Sequence, residues 1–237
     1  MSTLQIWGRM SSINVKKVVW TAQELGLDFE RHEAGGVHGV VKTPAYRTLN
    51  PNSTIPVLQD ADYVLWESNV ITRYLCAKYS TPTLVASRTT LPPEGAVPSL
   101  GRPGASAHSS SNLYPTDLQE RFDAERWMEW QQTSANPASR NGFWHLVRLP
   151  VAERDPALVA QSNAAVEPLM AILDAHLATR RFMVGDRFSM ADIPLGCEVH
   201  RWFGLPQPRA PRPHIERWYA TLSARPAAKG VLDMALA

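Results

Sequence analysis

Residues 50–58 read NPNSTIPVL, and Glu67-Ser68 follow shortly after. Pro56 begins an apolar run suited to a strand, although a proline cannot donate a ladder hydrogen bond. Two interpretations stay open: Pro56 is a strand-edge proline, or its peptide bond is cis. A cis bond would turn the chain and leave the backbone N–H and C=O of Ile55 free to pair with a peptide-like ligand. The acid and the hydroxyl at Glu67 and Ser68 open the next helical pattern.

Strand and helix patterns alternate on both sides of this stretch. Apolar residues recur at helical spacing from Val15 to Leu25, and Gly26 follows where a helix C-cap belongs. A polar, glycine-rich segment, Ala34–Asn50, precedes the NPNSTIPVL sequence of residues 50–58. The order is therefore βαβ followed by ββα. The patterns predict strands at Thr3–Trp7 and Leu27–Glu33, a helix at Asn14–Leu25, a hairpin of Ile55–Gln59 and Tyr63–Trp66, and a helix at Ser68–Tyr79.

The second half of the chain has helical patterns only. A capping box, Thr116-x-x-Gln119, predicts a helix through about Ser134, and apolar residues form a helical stripe from Val166 to Leu177. A second capping box, Ser189-x-x-Asp192, precedes another helix, and His214–Ser223 predicts the last one. The segment between the halves is rich in Pro, Gly, Ser and Ala, which is typical of a linker or disordered loop. The predicted divisions are 1–80, 81–114 and 115–237.

Composition narrows the function classes. The 237 residues carry a net charge of +2 from 24 basic and 22 acidic residues, which is too balanced to favour nucleic acid as the main partner. No apolar run is long enough to span a membrane, and residues 1–12, MSTLQIWGRMSS, have neither a long apolar region nor a basic leader, so export is not expected. Cys76 and Cys197 are too few for a disulfide framework, so we expect a cytoplasmic protein whose two cysteines pack as small apolar groups. No HExxH or CxxC spacing occurs, so no metal site is expected.

Four segments resemble the glutathione transferase family and occur in the same order along the chain. The resemblance is specifically to bacterial, serine-type, theta-, zeta- and beta-like members. The segments SSINVKKVVWTAQELGLDFE, NPNSTIPVLQD and VLWESNVITRYL resemble the thioredoxin-like N-terminal domain. The later segment FMVGDRFSMADI resembles the capped helix of the all-helical C-terminal domain. The resemblance covers nearly the whole chain except residues 82–113, which look like an insertion. It implies an α/β thioredoxin-like N-terminal domain followed by an all-α C-terminal helical bundle.

The same resemblance implies a glutathione site. Pro56 is then cis, and Ile55 supplies two backbone hydrogen bonds to the cysteinyl part of glutathione. Glu67 binds the γ-glutamyl ammonium, while Ser68 and the helix N-terminus bind the α-carboxylate, because an anion is favoured by exposed N–H groups and the positive end of a helix. The family places the glycyl end beside the polar segment that contains His38 and Lys42. Glutathione is the co-substrate in this reading, and no metal is required.

The loop of residues 9–14, RMSSIN, lies where the family has its thiol-activating residue, and it contains neither tyrosine nor cysteine. The resemblance therefore implies a serine-type enzyme, with Ser12 the first choice and Ser11 nearly as good. Asn14 matches an asparagine of glutathione-dependent disulfide reductases and is a third candidate. A lone serine before a helix also serves as an ordinary N-cap. Lowering a thiol pKa by ~2 units corresponds to about 2.7 kcal/mol, which one charge-assisted hydrogen bond and the helix dipole can supply.

The resemblance also implies a second substrate lying against the helical domain, and a homodimer. We expect an apolar electrophile, with Trp127, Trp130, Gln131 and Trp202 as pocket walls. Arg9, Lys16 and Lys17 are expected to be solvated charges near the pocket; the alternative is that they contact the glycyl carboxylate of glutathione or a partner subunit. The main hypothesis is thus a cytoplasmic, homodimeric glutathione transferase with a role in detoxification. The alternatives are a glutathione-dependent disulfide reductase, in which Asn14 contributes more, and a non-catalytic binding protein that keeps the scaffold.

Overall fold

A computed structural model of the chain describes residues 3–80 and 112–237, so the predicted linker lies almost entirely outside the described residues. Four strands form one sheet in the order β2-β1-β3-β4. The pair β1–β2 is parallel, and β1–β3 and β3–β4 are antiparallel. This arrangement confirms the predicted hairpin, whose first strand starts just after Pro56 because a proline has no ladder N–H. The strands are β1 Leu4–Trp7, β2 Phe29–His32, β3 Val57–Asp60 and β4 Tyr63–Trp66.

Three α-helices accompany this sheet: α1 Ile13–Glu24, α2 Pro44–Leu49 and α3 Ser68–Tyr79. The first and third confirm the predicted helices. The second lies inside the segment that the sequence analysis treated only as a connection. Its N-cap is Thr43, whose hydroxyl accepts a hydrogen bond from the Tyr46 N–H at 3.2 Å, and Pro44 stands at its first position. Threonine followed by proline is a recognisable helix start that the apolar periodicity of so short a helix does not reveal.

The described second half is helical, as predicted. Its α-helices are α4 Leu118–Trp130, α5 Asn136–Phe143, α6 Pro156–Leu177, α7 Asp192–Gly204 and α8 Pro213–Ser223. A wider π-helical turn, Gln131–Ala135, joins α4 to α5, and a second one, Trp144–Arg148, follows α5. The helical segment that was predicted to end near Ser134 therefore continues to Arg148. The expected Thr116 cap is wrong: Asp117 caps α4 by accepting hydrogen bonds from the backbone N–H groups of Gln119 and Glu120. None of the described helices is both long and apolar enough to cross a membrane.

Helix α1 joins the two halves, because it packs against α3 on one side and α7 on the other. The contact with α7 is close: a Cβ added at Gly196 would lie 2.8 Å from the ring of Trp20, which is fully buried. Cys76 and Cys197 are free and buried in the same core, as expected. This packing fixes the N-terminus of α1 beside the helices of the second half.

Candidate active site

A cleft of about 290 Å³ lies where the loop before α1 faces the helical half. Ser11, Ser12 and Asn14 line one wall, so the three predicted catalytic candidates lie together. The lining residues are Arg9, Ser11, Ser12, Ile13, Asn14, Asn136, Arg140, Phe143, Trp144, Arg148 and Arg201. Because α1 begins here, the cleft also faces the positive end of a helix dipole.

Ser12 occupies the N-cap position of α1, but its hydroxyl makes no capping hydrogen bond. Its backbone is held instead: the Ser12 N–H donates to the Arg9 carbonyl at 3.1 Å, and its carbonyl accepts from Val15 and Lys16. The Ser11 hydroxyl, in contrast, accepts a hydrogen bond from the Arg9 Nε at 3.1 Å. The Ser11 oxygen is therefore held by Arg9, whereas the Ser12 hydroxyl has no such contact, and both hydroxyls keep their O–H free to donate.

Asn14 lies in the first turn of α1 and also lines the cleft. Its side-chain oxygen is buried and has no hydrogen-bond partner among the described residues. A buried amide without a partner is costly, which makes it a candidate for contact with a ligand. The structure thus leaves Asn14 available beside Ser12.

The Ile55–Pro56 peptide bond is cis, as the resemblance implied. Within residues 3–80 and 112–237, the backbone N–H and C=O of Ile55 have no hydrogen-bond partner. Both groups are thus available to a peptide-like ligand at the entrance to β3.

Glu67 and Ser68 form the start of α3. Glu67 is exposed and has φ 73° and ψ 108°, a backbone conformation that a residue other than glycine rarely adopts. Strained backbone of this kind often occurs at functional sites. Ser68 is the first residue of the helix and is only 3% exposed. Glu67 therefore stands at a helix N-terminus, whose first N–H groups have no partner within the helix.

His38 and Lys42 lie outside the cleft. Both are exposed, and His38 Nε2 lies 3.4 Å from the Glu33 carboxylate. Arg9 extends over the glycine turn before His38: a Cβ added at Gly36, whose φ is +59°, would lie 3.1 Å from the Arg9 guanidinium carbon. Arg9 thus connects the polar segment with the serine loop.

The four expected walls of the second-substrate pocket do not line the cleft. Trp127, Gln131 and Trp202 are buried, and the ring of Trp127 packs against His176 and against Trp130 at centroid distances of 4.3 and 5.2 Å. Gln131 takes part in a buried polar network instead. Core packing at these positions is the ordinary role of tryptophan, and the helical spacing did not distinguish it from a ligand wall.

The expectation that Lys16 and Lys17 are solvated is wrong. Lys16 is 4% exposed and Lys17 is fully buried, because α1 is covered by α7. Lys17 Nζ donates to Gln131 Oε1 at 2.7 Å, and Gln131 Nε2 donates to Glu198 Oε2 at 2.8 Å. Burial lowers the pKa of Lys17 to about 8. These hydrogen bonds form a polar connection between the two halves of the chain.

The sequence analysis missed the part of the cleft that the helical half supplies, including three arginines, Arg140, Arg148 and Arg201. Arg148 Nη2 donates to the Ser11 carbonyl at 2.9 Å, so this arginine supports the serine loop from across the cleft. The guanidinium groups of Arg148 and Arg201 lie 5.3 and 4.7 Å from the ring centroid of Phe143. The available signal was the segment ASRNGFWHLVR, residues 138–148, in which two arginines flank two adjacent aromatic residues.

Two family models match this chain. One is described as "Glutathione S-transferase, N-terminal domain" and matches residues 11–78; the other, "Glutathione S-transferase, C-terminal domain", matches residues 128–226. Together they cover the cis-proline stretch, the serine loop and most of the helical half. The chain belongs to the glutathione S-transferase family.

Individual relatives agree with this assignment. Glutathione S-transferase GstB of Escherichia coli (strain K12) is 33% identical, with 97% of each chain covered. Glutathione S-transferase 3 of Zea mays is 32% identical, with 96% of this chain and 92% of the relative covered. Among solved structures, the theta class glutathione S-transferase from Xanthomonas axonopodis pv. citri with glutathione bound is 40% identical, with a TM-score of 0.85 and 100% of both chains covered. This chain is a glutathione transferase.

Proposed function

We propose that this enzyme joins glutathione to a small electrophile and that the Ser12 hydroxyl stabilises the glutathione thiolate. The observation that carries the proposal is the Ser12 hydroxyl itself, which lines the cleft without a capping hydrogen bond at the N-terminus of α1. A hydroxyl donor and a helix dipole both favour a thiolate over a thiol. Ser11 is the second choice: its oxygen accepts from Arg9 Nε, which fixes the position of the hydroxyl, while its O–H stays free to donate. Asn14 is proposed to assist by donating a hydrogen bond from its side-chain amide N–H to the thiolate, because its unpartnered oxygen can only accept.

Glutathione itself is proposed to bind along the first half of the chain. The free backbone groups of Ile55, before Pro56, suit the cysteinyl residue. The Glu67 carboxylate suits the γ-glutamyl ammonium, and Ser68 with the N-terminus of α3 suits the α-carboxylate. His38 and Lys42 are proposed to border the glycyl carboxylate, since both are exposed next to the turn over which Arg9 extends.

We also propose a homodimer that works in detoxification in the cytoplasm. Two exposed apolar side chains, hereafter the β4 patch, lie at the junction of β4 and α3: Trp66 and Val70, which are 38% and 42% exposed. They support an interface here, because exposed apolar surface is where protein–protein interfaces form. The two cysteines are free thiols, as in a reducing compartment.

The transferase activity is tested with two acceptors side by side, 1-chloro-2,4-dinitrobenzene and hydroxyethyl disulfide. We expect conjugation of the chloroarene to exceed disulfide reduction and to be lost on Ser12→Ala. Faster disulfide reduction that depends on Asn14 would favour the reductase alternative. Calorimetry with millimolar glutathione tests the scaffold alternative, which predicts no heat of binding.

A further inference from the structure

The polar lining of the cleft is dominated by positive charge. Arg9, Arg140, Arg148 and Arg201 line it, and neither aspartate nor glutamate does. In the described part of the chain, Arg201 is the only one of the four within ion-pair distance of a carboxylate, Glu198 Oε1 at 3.8 Å, and that carboxylate is buried outside the cleft; Arg9 is also close enough to Glu33 to lower the pKa of that carboxyl. Three cationic side chains thus face the cleft without an ion-pair partner among the described residues.

Arg148 shows the consequence of this crowding. Burial lowers its pKa, and the nearby charges of Arg9 and Arg201 lower it further. Its Nε is buried and has no hydrogen-bond partner among the described residues, although its Nη2 bonds the Ser11 carbonyl. An unsatisfied buried donor next to like charges is unfavourable, and an anion bound in the cleft would remove both costs.

Aromatic surface lies next to these cations. The Phe143 ring contacts the Arg148 and Arg201 guanidinium groups, and Trp144 is 47% exposed at the cleft. A guanidinium presents a fixed fork of donors that matches a carboxylate, and an indole face accepts a flat apolar group. The cleft therefore combines an anion-binding edge with a flat apolar wall.

We infer that the second substrate is an electrophile with a flat apolar body and an anionic group, which Arg140 and Arg148 bind. This inference rests on the proposed transferase function, and it replaces the expectation of an apolar acceptor. Arg140 and Arg148 belong to the helical half, across the cleft from Ser12. Arg9, in contrast, extends over the glycine turn on the proposed glutathione side. The two arginines therefore face the side from which the acceptor approaches.

With an aryl halide of this kind as acceptor, the reaction is a nucleophilic aromatic substitution. The glutathione thiol loses its proton to solvent, and the thiolate electron pair forms a bond to the carbon that carries the halogen. The carbon–halogen bond then breaks, and the halide leaves with its electron pair. The anionic group of the acceptor is unchanged, so Arg140 and Arg148 position the acceptor and take no part in proton transfer.

The test compares two acceptors that differ in one charge, 4-chloro-3,5-dinitrobenzoate and its methyl ester. Each enzymatic kcat/KM is divided by the uncatalysed rate constant with glutathione, which removes the difference in intrinsic reactivity. We expect the wild type to prefer the carboxylate. We expect Arg140→Gln and Arg148→Gln to reduce that preference at least ~10-fold each, mainly through the KM for the acceptor. Arg148→Lys, which keeps the charge, should retain part of the preference.

Arg181→Gln is the matched control, because Arg181 is exposed and lies outside the cleft. It removes the same charge and should leave the preference unchanged. Equal losses on both acceptors in the Arg140 and Arg148 variants would overturn the inference. A raised KM for glutathione alone would also overturn it, since the arginines would then serve the first substrate.

A binding measurement separates this inference from the proposed function. Calorimetry with 3,5-dinitrobenzoate, which has no leaving group, is carried out in the presence of glutathione. If the wild type converts neither chloroarene but binds this anion in an Arg140-dependent way, the transferase proposal fails while the anion site stands. If the anion does not bind, or binds equally well to Arg140→Gln, the inference is wrong.

Discussion

The Ser11 and Ser12 hydroxyls differ in their hydrogen bonding although the residues are adjacent. Ser12→Ala removes a hydroxyl that has no capping role, so we expect folding to be retained while kcat/KM at neutral pH falls ~10-fold or more, as for the loss of one charge-assisted hydrogen bond. Steady-state kinetics with a chloroarene measure the change. Ser11→Ala is the matched control: its hydroxyl bonds Arg9, and a smaller loss is expected. A larger loss in Ser11→Ala would reverse the assignment.

At the residue scale, the sequence revealed the part of the site that is local in the chain. The Glu67-Ser68 helix start and the serine loop are short motifs that the sequence placed correctly, whereas the cis bond before Pro56 was implied only by the family resemblance. The arginines of the opposite wall were not found, because no local pattern brings residues 140–201 to a loop at residue 12. Lys17 was misjudged for the same reason: whether a lysine on α1 is solvated depends on the distant helix that covers it.

At the element scale, the buried start of α7 depends on one carboxylate. Asp192 accepts hydrogen bonds from the backbone N–H groups of Met183 and Ser189, both at 2.9 Å, and from Trp218 Nε1 at 2.8 Å. Asp192→Ala leaves these donors buried without partners and should lower the free energy of unfolding by ~3 kcal/mol or more, measured by urea denaturation. Asp117→Ala, at the exposed cap of α4, is the comparison and should cost ~1 kcal/mol. Equal small losses would show that the buried cap is unimportant.

His200 on α7 gives a pH dependence. Burial, with the nearby Lys16 charge, lowers its pKa from 6.5 to about 4. Between pH 4 and pH 6.5, the unfolded chain therefore binds more protons at His200 than the folded chain does. The stability that His200 contributes above pH 6.5 is lost as the pH falls towards 4. His200→Gln, which does not titrate, should lose less stability over the same range. Thermal unfolding across the range measures the difference.

The wild type must be compared with His200→Gln, because the titration of Asp192 changes stability with pH in the opposite direction to that of His200. Burial raises its pKa to about 6, so its contribution to stability grows as the pH falls through that value. This contribution is present in both proteins and cancels in the difference. Identical pH profiles for wild type and His200→Gln would contradict the assignment to His200.

Helices with long apolar periodicity were predicted, and short capped ones were not. Helix α6 shows its stripe over many turns, and the Ser189–Asp192 start of α7 is a local capping motif. Helix α2 has only six residues, so its start signal at Thr43 was the sole local evidence. At α4, Thr116 and Asp117 are neighbouring candidates, and the Asp117 oxygen makes the capping bonds. The choice between adjacent capping residues depends on geometry that the sequence does not contain.

At the scale of the whole molecule, the proposed dimer is tested at the β4 patch. Val70→Glu replaces an exposed apolar side chain at the start of α3 by a charge, and we expect the dimer to dissociate at concentrations where the wild type stays associated. Analytical ultracentrifugation measures the change. Ile172→Glu on α6, which is 51% exposed, is the matched control and should leave the assembly unchanged. Dissociation by the control variant alone would move the interface elsewhere.

The fold as a whole was predictable because the four segments that resemble the family and the periodicities of strands and helices indicated the same two-part architecture. The domain boundaries at residues 80 and 114 stay a prediction. The charge of the cleft was not predictable, since it arises only when α5, α7 and the loop before α1 come together. The net charge did not indicate this cluster of arginines, because +2 for the whole chain does not show where the cations lie.

The most direct measurement is the titration of glutathione bound to the enzyme, followed by the ultraviolet absorbance of its thiolate. With the Ser12 hydroxyl as donor, the bound thiol should ionise ~1–2 pH units below the ordinary value of about 8.5, and Ser12→Ala should move it back towards that value. A bound thiol that titrates at the same pH in wild type and Ser12→Ala would contradict the role of Ser12.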